Sequence, residues 1–532
     1  MGSDARAHSS SFVAMMAAAA PRGEVEETLA DDDVLIGTHR LRIVDRDRAV
    51  QPWLSADGRW ALTYNGEIFN FAVLRSQLIA EGHPMRSTSD TEVVLEAILA
   101  WGEDALLRFR GEFAFALIDR QNRRVFLARD PAGVKPLYWA LSDGRLAVTS
   151  EIKALVGSFV HRGETVHELA PGHCGWAGPG SAPQVHPYVD LLRLGEDQSM
   201  IEDQEEASRL VRSTYREAIR MRVDTDLTVG VVLSGGLDSS LALLHVHEMH
   251  PDCVAFTIGT EDSEDLAYAR RLTADLGVRH EVVTLSPGDI GLADVREAIR
   301  VSEVTEYGDI INAVVSLKLF QQVHRSGIKI VLTGDGSDEL FGGYTMYARL
   351  DAEQSRPLFL HKIRHLSRTE LQRVDRTSMG NGVEARVPYL DLDMLTLSMR
   401  IPVSMKIRDG YEKWILRDAF ADVLPDYILR RHKNPMSHSS GLHERIRLYR
   451  PLFARMYRSF GYDAAGPIRR NFSDVLSDCS HDLPRAVVAA ESPRDYTAAE
   501  HARDFAGALK WNAVGGLRTA RHRLTQRVRP GR

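Results

Sequence analysis

A short run of small and polar residues follows an apolar segment in the middle of the chain. The run reads Ser234-Gly235-Gly236-Leu237-Asp238-Ser239-Ser240. Residues 228–233 before it are apolar and β-branched, as in a buried strand, and residues 241–246 after it have helical composition. A strand that turns through glycines into a helix presents backbone N–H groups and the positive end of the helix to an anion such as a phosphate. The serine hydroxyls can donate hydrogen bonds to the same anion, whereas Asp238 would repel it and is therefore predicted to bind Mg²⁺.

This run matches neither the GxxxxGK[ST] nucleotide loop nor the GxGxxG dinucleotide pattern. Its Ser-Gly-Gly-x-Asp-Ser pattern resembles the pyrophosphate loop of the ATP pyrophosphatases, which cleave ATP between the α- and β-phosphates. The resemblance implies ATP as the ligand. The alternative interpretation is an ordinary Gly-Gly turn that opens a helix, and the motifs further along the chain disfavour it.

The elements around the run predict how its residues are positioned. Strands are predicted at 254–259, 281–285 and 329–334, and helices at 265–276 and 311–323. This alternation favours a doubly wound parallel sheet, in which ligands bind beyond the carboxyl ends of the strands. Gly259 and Gly334 lie at such ends, as the serine-rich run does, which predicts one nucleotide crevice. Three residues are predicted to form the walls for adenine: Val232, Leu233 and Ile258.

The first 190 residues predict a separate α+β region that is rich in strands. Strands are predicted at 34–45, 60–64, 112–119 and 124–130, and helices at 71–81 and 91–101. Residues 178–205 are turn-rich and then acidic, as expected of a linker. A helix over 205–222 is predicted to lead from this linker into the central strand.

Six segments of this first region resemble the glutaminase domain of the asparagine synthetase B family. They are THRLRIVD from Thr38, NGEIFN from Asn65, SDTEVV from Ser89, GEFAFALID from Gly111, LARDPAGVKPLYWA from Leu127 and SEIKAL from Ser150. The resemblance implies an N-terminal nucleophile hydrolase fold, with two stacked antiparallel sheets between helices. It also implies a glutamine pocket in which Arg40 and Asp90 hold the carboxylate and amine, Asn65 and Gly66 form the oxyanion hole, and Glu67 lines the wall.

The sequence departs from that family at the nucleophile. The chemistry needs a cysteine at the mature N-terminus, where the thiolate attacks and the free α-amine acts as base. No cysteine precedes Cys174, and Ala20-Pro21-Arg22-Gly23 matches the family's His-Arg-Gly-Pro-Asp turn poorly. Serines 9–11 are internal and lack the α-amine. We therefore expect no glutaminase activity and interpret the glutamine pocket as vestigial.

Three later segments resemble the synthetase domain of the same family: 333–344, 373–379 and 382–391. The resemblance implies that Asp338 joins Asp238 in binding Mg²⁺ and that Asp335 lies near the acyl group. Glu384 is assigned either to the catalytic site or to a buried ion pair with Arg386.

Two lysines complete the predicted site. Lys413 and Lys433 match two lysines that are essential in the family. A lysine is a compact point charge, suited to phosphate oxygens. Lys413 is expected to neutralise the leaving pyrophosphate, and Lys433 to stabilise the charge that develops as an amine attacks the acyl-adenylate.

The segment 303–312 falls where the family shapes its acyl pocket. Gly308, Asp309 and Ile311 stand where asparagine synthetases have threonines and an arginine, which weakens the case for aspartate as substrate. The segment is nearer to that of β-lactam synthetases, although Asp335 replaces their tyrosine and Gln372 stands near the place of their glutamate. The unusual loop Met436–Gly441 is predicted only to contribute to substrate binding.

Composition narrows the partners and the compartment. The chain has 532 residues and a net charge of −7, which gives no reason to expect nucleic acid or an anionic membrane as partner. No apolar run approaches the ~18 residues that span a bilayer. The three cysteines match no metal-binding spacing and fit a reducing cytoplasm. The oligomeric state is left open, and a homodimer is one alternative.

The sequence therefore predicts an α/β protein with a glutaminase-like domain at 1–192, an ATP-pyrophosphatase domain at 205–517 and a basic tail at 518–532. The predicted function is an ATP- and Mg²⁺-dependent synthetase of specialised metabolism. It would adenylate a small-molecule or peptide carboxylate and transfer it to ammonia or an amine. One alternative is an intramolecular cyclase of the β-lactam synthetase or lasso-peptide cyclase type. Another is a non-catalytic partner protein, which the retained aspartates and lysines disfavour.

Overall fold

A computed structural model describes residues 9–31, 33–344, 347, 350, 352–434, 439–468, 502–503 and 506. The predicted tail at 518–532 and residues 436–438 of the unusual loop lie outside this range. Within the described residues, no helix is long and apolar enough to cross a membrane.

The described part of the N-terminal half contains eleven strands in three antiparallel sheets and four α-helices. The strands are β1 Val25–Ala30, β2 Leu35–Arg40, β3 Trp53–Leu54, β4 Trp60–Ile68, β5 Gly111–Asp119, β6 Arg124–Arg129, β7 Tyr138–Ser142, β8 Arg145–Thr149, β9 His167–Glu168, β10 His173–Ala177 and β11 Gln184–Pro187. The helices are α1 Ser9–Ala19, α2 Phe71–Ala80, α3 Asp90–Trp101 and α4 Ile152–Val156. The largest sheet has the strand order β11-β10-β6-β5-β4-β3, and the others are β8-β7-β9 and β1-β2.

The central strand β5 has two buried faces. Phe113, Phe115 and Leu117 pack in one apolar cluster with residues of α2 and α3. The alternate residues Ala114 and Ala116 pack in a second cluster with residues of β2, β7 and β8. Successive side chains of a strand point to opposite faces, so this strand lies in the middle of a layered sandwich.

Strand β4 extends further than the sequence predicted. The prediction ended it at Tyr64, but the pairing with β5 continues to Ile68. Gly66 allows this because a Cβ atom there would lie 2.0 Å from the carbonyl oxygen of Glu112. The backbone of Gly66 also has φ +144°, which favours glycine. The predicted oxyanion-hole residues therefore lie inside a strand.

The C-terminal half is built on a parallel sheet with the strand order β14-β13-β12-β15-β16. The strands are β12 Val229–Val232, β13 Val254–Gly259, β14 Arg279–Thr284, β15 Ile330–Leu332 and β16 Glu384–Arg386. All neighbouring strands run parallel. The order reverses between β12 and β15, which is where doubly wound sheets bind ligands. The two halves together confirm the predicted α/β fold class.

Helices cover this sheet and extend beyond it. They are α5 Gln204–Arg222, α6 Leu237–Met249, α7 Glu264–Leu276, α8 Leu292–Ser302, α9 Tyr307–Arg325, α10 Ser337–Phe341, α11 Ala352–Leu366, α12 Gln372–Met379, α13 Leu392–Arg400, α14 Val403–Lys406, α15 Trp414–Ala419, α16 Asp426–Leu429, α17 His443–Arg447 and α18 Arg450–Ser459. A π-helical turn, Ser367–Leu371, joins α11 to α12. Helix α6 begins at Leu237, so Asp238, Ser239 and Ser240 lie in its first turn rather than before it.

Buried ion pairs connect the two halves. Arg22 donates hydrogen bonds to Glu151 over 3.0 Å and to Asp375 of α12 over 2.9 Å. Arg222 of α5 does the same with Glu112 over 3.1 Å and with Asp391 over 3.0 Å. Removing one member of such a pair leaves a buried charge without compensation. The relative placement of the halves therefore depends on these arginines.

Replacing Arg22 by Met should lower the free energy of unfolding by about 3 kcal/mol, because Asp375 and Glu151 would lose a buried cation. Urea denaturation followed by tryptophan fluorescence would measure the loss. Arg46→Met is the matched control, since Arg46 also binds an aspartate of the other half, Asp226, but the pair is exposed. Equal losses in the two variants would show that the buried pairs do not hold the halves together.

Candidate active site

The serine-rich run forms a loop between β12 and α6. Gly235 adopts φ +67°, and a Cβ atom there would lie 2.6 Å from Tyr268. Ser239 Oγ accepts a hydrogen bond from Ser234 N over 3.2 Å, which closes the loop on itself. Ser240 is fully buried, and its hydroxyl has no hydrogen-bond partner among the described residues. The loop thus presents the N-terminus of α6 together with the hydroxyls of Ser234 and Ser239.

Two carboxylates and two lysines lie together beside this loop. Lys413 Nζ lies 2.6 Å from Asp338 Oδ1 and also contacts Asp238 Oδ2. Lys433 Nζ lies 2.7 Å from Asp338 Oδ2. We call these four residues the charge quartet. The structure therefore brings together the two predicted metal ligands and the two predicted lysines.

The lysines determine the ionisation of the quartet. Burial alone would raise the pKa of Asp338, but Lys413 and Lys433 outweigh burial and hold that pKa well below its usual range. Burial would lower the pKa of Lys433, but Asp338 and Asp238 reverse the effect and raise it. The carboxylate of Asp338 and the ammonium of Lys433 thus remain charged at neutral pH.

The backbone around the quartet is shaped to bring these groups close. Lys413 adopts φ +56°, a left-handed conformation that is strained for a residue with a side chain. A Cβ atom on Gly343 would lie 1.8 Å from Asp338 Oδ1 and 2.4 Å from Lys413 Cε. A Cβ atom on Gly334 would lie 2.8 Å from the Cβ of Asp238. Both glycines are required because side chains of the quartet occupy the space beside them.

The aspartates of the quartet fit a magnesium ion. Asp238 and Asp338 come from the ends of neighbouring strands and already converge on one cation, the ammonium of Lys413. Ser337 Oγ donates to Asp238 Oδ1 over 2.7 Å and orients it. Carboxylate oxygens are the ligands that Mg²⁺ prefers in proteins.

Several residues that the sequence did not single out support the quartet. Glu412 accepts hydrogen bonds from Lys433 N and from Arg417 Nη2, both over 2.7 Å, and so joins the segments that carry the two lysines. Arg431 donates to the carbonyl of Ser234 over 3.0 Å and to Asp265 over 2.7 Å. One contact of Glu412 and one of Arg431 are to backbone groups, which leave no spacing pattern in a sequence.

Asp335 lies beyond β15, in a different set of contacts. Arg373 Nη2 donates to Asp335 over 2.8 Å and to Glu370 over 2.8 Å. Gln372, which the sequence placed near the substrate, instead donates to the carbonyl of Glu303 over 2.7 Å. The carboxylate beside Asp335 is therefore Glu370, which sequence analysis did not identify.

Glu384 lies apart from the quartet. It pairs with Ile330, the first residue of β15, and so lies at the amino end of the sheet, away from the crevice. Its carboxylate accepts a hydrogen bond from Arg386 over 2.9 Å, and Arg386 also contacts Glu67 of the N-terminal half. This geometry favours the buried ion pair over a place in the active site.

The predicted adenine walls lie at the carboxyl ends of β12 and β13. Val232 is half-buried, whereas Leu233 and Ile258 are buried. Thr257 Oγ1 donates to the carbonyl of Leu233 over 2.6 Å, which holds the two strand ends together. The structure places these three residues on the same side of the sheet as the serine-rich loop.

The polar side chains of the predicted glutamine pocket form hydrogen bonds with other groups of the protein. Arg40 forms two hydrogen bonds with Glu27, over 3.1 and 3.2 Å. Asp90 accepts hydrogen bonds from the Tyr64 hydroxyl over 2.9 Å and from Ile68 N over 3.2 Å. Asn65 Nδ2 lies 3.4 Å from Ser150 Oγ. Arg40, Asn65 and Gly66 line a cavity of about 310 Å³ together with apolar side chains of α1, β2, β5 and β8.

Burial shifts the acidity of two carboxyl groups in this pocket. Burial raises the pKa of Glu67 to about 8, with Glu384 and Asp90 adding to the effect and Arg386 opposing it. Burial also raises the pKa of Asp90 to about 6, against the hydrogen bonds from Tyr64 and Ile68. Both groups therefore bind protons more tightly in the folded protein than in the unfolded chain.

The raised pKa of Glu67 predicts a pH-dependent stability. Its contribution is fully present below the unfolded pKa of about 4.3 and is lost as the pH rises through the folded pKa of about 8. The midpoint of urea denaturation should fall over this window, and Glu67→Gln should reduce the slope. Glu202→Gln, at an exposed carboxylate, serves as control. The same slope in wild type and Glu67→Gln would contradict the assignment.

Replacing Gly343 by Ala should disrupt the quartet, because the added methyl group would collide with Asp338 and Lys413. Isothermal titration calorimetry should show binding of a non-hydrolysable ATP analogue weakened about 10-fold or more, as expected when a charged hydrogen bond is lost. Gly157→Ala should bind normally, since the nearest atom to its added Cβ is 3.8 Å away. Unchanged affinity in Gly343→Ala would separate the quartet from nucleotide binding.

Comparison with known proteins is consistent over both halves. A profile described as a glutamine amidotransferase domain matches residues 2–171, and one described as asparagine synthase matches residues 210–360 and 350–474. Asparagine synthetase [glutamine-hydrolyzing] 3 of Arabidopsis thaliana is 33% identical over 440 residues, which cover 77% of this chain and 72% of that protein. Asparagine synthetase B [glutamine-hydrolyzing] of Escherichia coli (strain K12) is 30% identical over 430 residues, covering 77% and 76%. The chain therefore belongs to the asparagine synthetase B-type family.

Proposed function

We propose that this protein is an ATP-dependent synthetase that forms an amide through an acyl-adenylate. The charge quartet beside the serine-rich loop carries the proposal. It lies where the strand order reverses and combines a phosphate loop, two carboxylates for a metal and two cations for phosphate oxygens. This set of groups suits the cleavage of a triphosphate better than it suits a purely structural role.

The first step would join the substrate carboxylate to the α-phosphorus of ATP. A carboxylate oxygen forms a bond to that phosphorus, and the bond to the bridging oxygen breaks, which releases pyrophosphate. Asp238 and Asp338 would hold Mg²⁺, which neutralises charge on the leaving pyrophosphate. Lys413 contacts both aspartates and lies beside the loop. Its ammonium group could therefore exchange an aspartate for a pyrophosphate oxygen as its partner.

The second step would transfer the acyl group to nitrogen. The amine attacks the acyl carbon and loses a proton, the bond from that carbon to the phosphate oxygen breaks, and AMP leaves. Lys433 is more exposed than Lys413, with 27% of its side chain accessible against 2%. It is therefore placed to stabilise charge at the open side of the crevice, and Asp335 is proposed to face the acyl group.

The nitrogen is proposed to come from ammonia or a substrate amine rather than from glutamine. Arg40 and Asp90 already have partners within the protein. A pocket whose charged groups are paired has no group left to recognise the glutamine carboxylate or amine. We place the reaction in specialised metabolism, because segment 303–312 lacks the arginine expected for aspartate.

Ring closure within one substrate is the second candidate. It is favoured by Asp309, which stands in a segment nearer to that of the β-lactam synthetases. In that case the amine and the carboxylate would belong to the same molecule. A non-catalytic partner role is the least consistent alternative, because such a role gives no reason to maintain a strained Lys413 among charged neighbours.

Incubation with ATP, Mg²⁺, ammonium and a library of carboxylic acids should yield AMP, pyrophosphate and an amide in equal amounts, measured by chromatography and mass spectrometry. Lys433→Met should lower this rate about 100-fold or more, because a preorganised charge at the reacting centre is lost. Lys318→Met is the matched control, since Lys318 is also 27% exposed and paired with one aspartate, Asp294. Formation of ADP instead of AMP would overturn the proposal.

The nitrogen source is tested in the same assay. Ammonium or an added amine should support amide formation, whereas glutamine alone should give neither amide nor glutamate. A product that forms without any added amine would favour ring closure. Turnover with glutamine at the rate seen with ammonium would contradict the proposed loss of glutaminase activity.

A further inference from the structure

A second group of charged side chains lies around Asp335. It is formed by the start of α9, the π-helical turn and the glycine-rich segment that carries α10. We call its five carboxylates the acidic wall: Glu306, Asp309, Asp335, Glu339 and Glu370. Burial raises the pKa of Asp309, and the charges of Glu370 and Glu306 add to that effect. Burial likewise raises the pKa of Glu370, with Arg373 opposing and Asp335 adding to it, so these carboxyl groups lie close to one another.

Among the described residues, the acidic wall has more carboxylates than arginines paired with them. Arg373 bridges Asp335 and Glu370, and Arg368 lies 2.9 Å from Glu306. Lys362 lies over the ring of Tyr344 at 4.9 Å. The arginine pairs therefore engage Asp335, Glu370 and Glu306 and leave Asp309 outside them.

Asp309 is the carboxylate that the protein leaves without a partner. It is 8% exposed and lies in the first turn of α9. Among the described residues it makes no hydrogen bond or ion pair, yet its charge interacts with Glu370, Glu306, Arg373 and Lys362. A buried carboxylate with no partner is costly, and such a cost is expected where a ligand supplies the missing group. The N-terminus of α9 offsets only part of it.

The π-helical turn contributes the second carboxylate. Ser367–Leu371 adds a residue to one turn between two α-helices, and Glu370 lies within it. Such turns occur frequently at functional sites. Here the turn leaves Glu370 beside Asp335 and Arg373 while Gln372 faces the backbone of Glu303. The irregular turn therefore places a carboxylate at the acidic wall.

We infer that the acidic wall binds an alkylammonium group of the substrate, and that Asp309 and Glu370 recognise it. This inference rests on the proposed function and names its substrate class. The ammonium would supply the partner that Asp309 lacks. An anionic substituent at the same place would be repelled. The ammonium belongs either to a separate amine or to the carboxylate substrate itself.

Direct binding tests the inference without turnover. Calorimetry with 1,4-diaminobutane, in the presence of a non-hydrolysable ATP analogue, should show saturable binding to the wild type. Asp309→Asn and Glu370→Gln should each weaken it about 10-fold or more, as expected for a lost charged hydrogen bond. Glutarate should not bind. Asp294→Asn is the control, because Asp294 also lies in the first turn of a helix but is paired with Lys318.

Two further measurements separate the outcomes. Asp309→Asn should be at least as resistant to urea as the wild type, because it replaces a buried carboxyl group that has no partner with a neutral amide of similar size. A marked loss of stability would indicate a structural role and overturn the inference. Unchanged diamine affinity in both variants, or no diamine binding to the wild type, would also overturn it. If the ATP analogue itself fails to bind the wild type, the proposed function fails instead.

The source of the ammonium is resolved by turnover with three five-carbon acids: pentanoate, glutarate and 5-aminopentanoate. One result would place the ammonium on the acid. Pyrophosphate release with 5-aminopentanoate would exceed release with the other two acids about 10-fold, and Asp309→Asn would abolish the difference. In the other result, pentanoate would support pyrophosphate release and form an amide only when 1,4-diaminobutane is added. That result would place the ammonium on a separate amine. A preference for glutarate would contradict an acidic wall that selects cations.

Discussion

The electrostatic balance of the charge quartet is the constraint on which the C-terminal half depends. Two carboxylates held at one crevice would repel each other and take up protons unless cations lay beside them. The chain supplies those cations from segments nearly two hundred residues downstream of the serine-rich loop, and it must bring them within hydrogen-bond distance. Three features follow from that requirement. Gly343 leaves room for Asp338 beside it, the backbone of Lys413 is left-handed, and Glu412 links the segments that carry the two lysines.

The same balance explains how the site can accept a highly charged ligand. A triphosphate with bound Mg²⁺ brings anionic oxygens for the lysines and a cation for the aspartates. Each group of the quartet can then exchange one partner for another of the same sign, so no charge is left buried alone during binding. The ion pairs seen here are therefore compatible with a site that binds nucleotide. They need not be interpreted as a closed structural network.

Sequence patterns predicted the regular elements better than the contacts that tune the site. The strand Val254–Gly259 was predicted at its observed bounds because a short apolar β-branched run has a clear signature. The strand at 60–64 was predicted to end at Tyr64, yet Gly66 permits close strand pairing that continues to Ile68. Sequence analysis placed Gln372 near the substrate, but the π-helical turn brings Glu370 beside Asp335 and Arg373 instead. Such a turn has no signature that analysis of one sequence recognises. Arg431 and Glu412 act through backbone groups and were missed for that reason.

The N-terminal half shows that a retained motif does not fix a residue's role. Arg40, Glu67 and Asp90 match the glutaminase pattern, but each side chain has a partner within the protein. Glu67 contacts Arg386, whose neighbour on the same strand is Glu384, so a residue expected to line a glutamine pocket instead joins the two halves. Burying such a pair is costly unless both members stay. Selection for a stable interface would therefore preserve these residues even without glutamine chemistry, and their presence is no argument for that activity.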